Sequence, residues 1–125
     1  MALMSIHLTL ARDPQFPQGS DRHGYDFVAP LDGSGHLDAE EWRKARDRCR
    51  VRRFWEGRDD EVGHLIHTQG RRWAFHYDIE GMEDEDESGY RFESHLFKEG
   101  EYVSIREQDG ETRTFRVASV RPAAM

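Results

Sequence analysis

Ile6, Leu8 and Leu10 alternate with His7 and Thr9, the period-two signature of a strand with one buried face. Residues 13–21 then collect Pro, Gly, Ser and Asp and read as a loop. Tyr25, Phe27 and Ala29 resume the alternation, and Pro30 ends it. Strands are expected again over 51–55, 61–68 and 72–79, the last two joined near Gln69 and Gly70. Trp73, Phe75, Tyr77 and Ile79 alternate there with Ala74, His76 and Asp78. Residues 80–88 form an acidic loop, and Tyr90 and Phe92 alternate beyond it. His95, Leu96 and Phe97 lead on to Gly100. Val103 and Ile105, a turn at Asp109-Gly110, then Phe115 and Val117 give a hairpin closed by Pro122.

One stretch departs from this rhythm. Asp32 to Gly35 is a turn, and Asp38 with Glu41 three residues on is a capping box. Leu37 and Trp42 stand where a hydrophobic staple forms, acids crowd the start of the segment and arginines its end, as the helix dipole favours. A short helix is predicted, with Trp42, Ala45 and Cys49 as its narrow apolar stripe. Seven or eight short strands with one helix define a mainly β chain: a small antiparallel β-barrel or strongly rolled sheet with one short α-helix, in a single domain spanning 1–125. A flat sheet would leave an aromatic face in water. Closure would instead bury Phe27, Trp73, Phe75, Tyr77, Phe92, Val103 and Phe115 together.

Composition agrees with a globular chain of high charge. Of 125 residues, 36% are hydrophobic and 34% charged, the latter against about 25% in typical domains. No apolar run is long enough to span a bilayer, and the first residues lack the basic and apolar regions of a signal peptide. With a single cysteine, Cys49, there is no internal disulfide and no paired-cysteine metal motif. A cytoplasmic protein is expected. The net charge of −7 disfavours attraction of the whole molecule to nucleic acid or anionic membranes. That charge is segregated: residues 43–53 sum to +6 and residues 78–87 to −7.

Candidate chemistry follows the segregation. Arg43, Arg46, Arg50 and Arg53, flanked by Trp42 and Trp55, form a candidate ligand-binding set in which guanidinium groups neutralise phosphates while an aromatic ring stacks on a base. The simpler reading is a solvated helix balanced by the acidic loop. His64, His76 and Asp78 form a candidate metal set. If residue 67 faced 71 across the hairpin, His64 and His76 would be diagonal neighbours about 7–8 Å apart, and a zinc site needs at least a third ligand. Residues 32–41 resemble the later part of a calcium loop, but Pro30 occupies the first ligand position and offers no side-chain oxygen. Cys49 sits on the apolar stripe, where a thiol is packing rather than nucleophile.

Gly63-His-Leu, Trp73-Ala-Phe-His-Tyr-Asp78, Gly100 to Glu107 and Thr114 to Pro122 resemble small uncharacterised bacterial proteins to which no activity is attached. That resemblance implies no activity, cofactor or site residue. The last hairpin is also loosely similar to the closing strands of small barrels such as the PUA and ASCH-like RNA-binding group. The expected function is a non-catalytic interaction or small-ligand-binding module with a protein or small-molecule partner. Its rivals are a single-stranded nucleic-acid-binding domain using residues 43–53 and a small histidine- or metal-dependent enzyme. No cofactor is indicated.

Overall fold

The computed structural model describes residues 3–67, 72–77, 95–107 and 109–123, together with the backbone of 87–90. Eight strands follow in chain order: β1 (Leu3–Leu10), β2 (Ser20–Pro30), β3 (Arg50–Trp55), β4 (Glu61–His67), β5 (Trp73–Tyr77), β6 (Glu87–Tyr90), β7 (Tyr102–Arg106) and β8 (Thr112–Pro122). Each pairs antiparallel with the next, and β8 returns to pair with β1, which closes the barrel. Asp78, Ile79, most of the acidic stretch (80–86), Gln69, Gly70 and Phe92 lie outside the described residues. Glu87 and Ser88, read from sequence as the end of the acidic loop, begin β6.

The alternating apolar residues face inward. Ile6, Leu8, Tyr25, Phe27, Leu65, Trp73, Phe75, Tyr77, Val103, Ile105, Phe115 and Val117 are all buried. An eight-stranded barrel is just wide enough for side chains to fill. Here aromatic rings do so, with Phe75 lying 5.1 Å from Tyr25 and 5.2 Å from Phe27 between ring centroids. Where the wall must tighten, side chains vanish. A Cβ on Gly24 would lie 1.9 Å from the Leu8 carbonyl oxygen, and one on Gly63 would lie 2.0 Å from that of His76.

The helix α1 (Ala39–Ala45) closes one end. Asp38 is extended and accepts the Glu41 N–H, as a capping residue does. Leu37 and Trp42 are both buried, and the Trp42 indole N–H donates to the Leu65 carbonyl at 2.8 Å. The helix is shorter than its sequence stripe. It ends at Ala45, a single 3-10 turn covers Arg46–Arg48, and Cys49 is buried just before β3 rather than on a helical face.

Candidate functional site

Among the described residues, the buried charged groups gather at the opposite end of the barrel. His23, Arg53 and Glu107 are buried and Arg113 nearly so, all in the same inward phase as the core residues two positions along their strands. Glu107 ties them together. One carboxylate oxygen accepts from the Tyr25 hydroxyl at 2.5 Å and the Arg53 Nε at 3.0 Å, and the other accepts from Arg113 at 2.6 Å. Arg113 also grips Asp109, which holds the Asp109 carboxyl below the usual carboxylate range. The Arg53 guanidinium lies 4.2 Å from the Trp55 ring centroid and that of Arg113 5.6 Å. His23 meets the same indole edge-on at 4.4 Å, touches Phe16 on another side, and bonds Ser20 Oγ through Nδ1. Burial pushes the His23 pKa below its ordinary value. These groups satisfy one another, so they act as a polar plug.

The residues that sequence marked for ligand binding therefore divide. Arg53 and Trp55 belong to the plug. Trp42 is 7% exposed and its indole N–H is engaged, so its face is not offered to a base. Arg43, Arg46 and Arg50 are exposed and form no ion pair among the described residues. Arg50 begins β3 directly opposite His64, and His64 is directly opposite His76 on β5. The two histidines are thus facing neighbours rather than diagonal ones, because residue 67 pairs with 73 and the connection is longer than a tight turn. Asp78 lies outside the described residues. Among those described, no group of three or more His, Cys, Asp or Glu side chains is arranged to hold a metal ion.

Other candidate groups have local partners. Asp32 accepts from the Ser34 hydroxyl and N–H and from the His36 N–H, and these bonds hold its carboxyl below the ordinary range. Burial pushes the Cys49 thiol up to about 11, which keeps it protonated and unreactive. On the outer wall His7 bonds Asp26, which also binds Arg52, and Arg52 reaches Asp60 at 3.0 Å.

A further concavity lies elsewhere on the outer wall. A cleft of about 1010 Å³ runs beside β1, β2, β7 and β8 under the β1–β2 connection. Its floor is one cross-strand row: Tyr102 on β7 faces Arg116 on β8, which faces Thr9 on β1. Thr114 and Arg12 border this row. The Tyr102 side chain is 56% exposed, very open for so large a ring. The side chains of Tyr102, Arg12 and Arg116 make no hydrogen bond or ion pair among the described residues, and Asp21 also lines the cleft. Arg22, also in the wall, is held by Glu56 at 2.9 Å. Sequence reasoning passed over this group. Its signal was an aromatic residue and an arginine in the outward phase of the final hairpin, but only closure of the barrel brings β1 alongside.

No helix among the described residues is long and apolar enough to cross a membrane. No family model, curated protein or solved structure matches the chain.

Proposed function

We propose that the protein is a non-catalytic binding module that takes an anionic ligand on the outside of its barrel, in the cleft bordered by Tyr102, Arg116 and Arg12. The observation that carries this reading is the exposed Tyr102 ring set beside Arg12 and Arg116, neither of them ion-paired among the described residues, in a cleft of about 1010 Å³ that Asp21 also lines. Arginine is the side chain best suited to forked recognition of phosphate, carboxylate or sulfate. The barrel interior supports the same direction, since its lumen is filled by rings and its buried charges bind one another. A cytoplasmic location fits a chain whose single cysteine is a buried free thiol.

A second reading uses the wall of β3, β4 and β5, where Arg50, His64 and His76 form a cross-strand row with Arg46 nearby. It retains part of the basic set marked in the sequence. Asp47 lines the same shallow groove and lessens its positive charge.

One titration separates the two. Heparin, a flexible polyanion, is added to isotope-labelled protein while backbone amide shifts are followed. Movements concentrated at Thr9 to Arg12, Ser20 to Arg22, Tyr102 and Thr114 to Arg116 are expected. Movements confined to Arg46, Arg50, His64 and His76 would transfer the site to the second wall. A spectrum unchanged at low salt would sink both.

A further inference from the structure

Resting on the cleft as the anion site, we propose that its natural occupant is a single-stranded nucleic acid, with one base stacked on Tyr102 and the adjoining phosphates held by Arg116 and Arg12. A simple anion site needs cations and N–H donors. It does not need a large ring left 56% exposed at its floor. Proteins that grip single strands combine both parts: a cationic groove that follows the backbone and an aromatic face on which a base rests. Both parts are present here on neighbouring strands.

The spacing suits that ligand. Tyr102 and Arg116 are direct register partners, so their Cβ atoms are about 5 Å apart. Thr9 continues the row on β1. A base lying flat on the phenol ring would direct its sugar and phosphate across the sheet, over Arg116 and towards Arg12. Thr9 and Thr114 present hydroxyl groups along the same path, suited to a ribose hydroxyl. A duplex would be a poor match, because its bases are already stacked on one another and turned away from the ring.

The acidic net charge is compatible with this assignment. Residues 78–87 carry seven carboxylates, which equals the whole formal excess of −7, so the rest of the chain is neutral overall. That segment joins β5 to β6, and β6 is the neighbour of β7, the strand that carries Tyr102. Charges more than about 10 Å apart are largely screened at moderate salt, so the arginines that line the cleft set the local attraction for a strand.

The test compares a fluorescein-labelled uridine oligomer of about ten nucleotides with heparin, using wild type, Tyr102→Ala, Tyr102→Phe and Arg116→Ala. Tyr102 and Arg116 are exposed, and unchanged melting curves check that the variants are folded. Tyr102→Ala should weaken oligomer binding about tenfold and heparin binding by a clearly smaller factor, while Tyr102→Phe keeps the stacking face and the oligomer affinity. Arg116→Ala should weaken both ligands and reduce the salt slope for the oligomer by about 0.7. If heparin occupies the cleft but Tyr102→Ala does not alter oligomer affinity, the nucleic-acid assignment is overturned and the anion site stands. If heparin fails to shift the cleft amides, the site itself is lost, and oligomer binding mapped to the β3–β5 wall would overturn the assignment as well.

Discussion

Glu107 shows how one side chain organises an end of the molecule. Its side chain is 1% exposed, and its carboxylate accepts from a tyrosine and two arginines, so a buried anion is fully met by donors. The sequence contained the clue. Arg53 follows Val51, Glu107 follows Ile105 and Arg113 precedes Phe115, so each charge stands two residues from a core position and in its phase. Reading by composition put Arg53 with its exposed neighbours; reading by parity would have put it inside. His23, in phase with Tyr25, belongs to the same group and gives the protein a pH dependence. Burial lowers its folded pKa, so below the unfolded value of about 6.5 the unfolded chain binds more protons. The stability is fully present above that pH and declines as the pH falls towards the folded value. The melting temperature should drop between pH 7 and pH 5, and His23→Phe, which keeps a ring against Phe16 and Trp55, should flatten that drop. Identical slopes for the two proteins would show that another group controls it.

At the scale of the element, hydrophobic rhythm was enough to locate most strands and the capped helix, because a half-buried strand and a staple leave local signatures. Register was not legible in the same way. His64 and His76 face each other because His67 pairs with Trp73 rather than with residue 71, and which residues meet across a connection has no simple sequence signature. The cleft was hidden for a related reason: Tyr102 and Thr9 are remote in sequence and come together through the pairing of β8 with both β7 and β1. On the other side of β1, the pairing with β2 includes a tight strand contact at Gly24, where the Phe54 ring also approaches to 3.0 Å of an added Cβ. Gly24→Ala should accordingly destabilise the protein by about 1–3 kcal/mol, measured by urea unfolding, whereas Gly57→Ser tests only the strain of a positive φ at an open turn. Equal midpoints for Gly24→Ala and wild type would mean that β1 and β2 can move apart without loss.

For the molecule as a whole, the two barrel ends are built differently. One carries an indole and apolar residues beside α1, the other a set of paired ions. Ala123 donates its N–H to the Leu3 carbonyl at 2.9 Å, beside the β1–β8 ladder. A ring of strands has no compulsory beginning. Linking residue 123 to residue 3 through a short glycine bridge and opening the chain within 57–60 should give a circular permutant that melts within about 5 °C of the parent. The order in which the ribosome delivers the strands would then matter little to the finished object, and the same wall could be cut at other turns to carry a reporter or an inserted peptide.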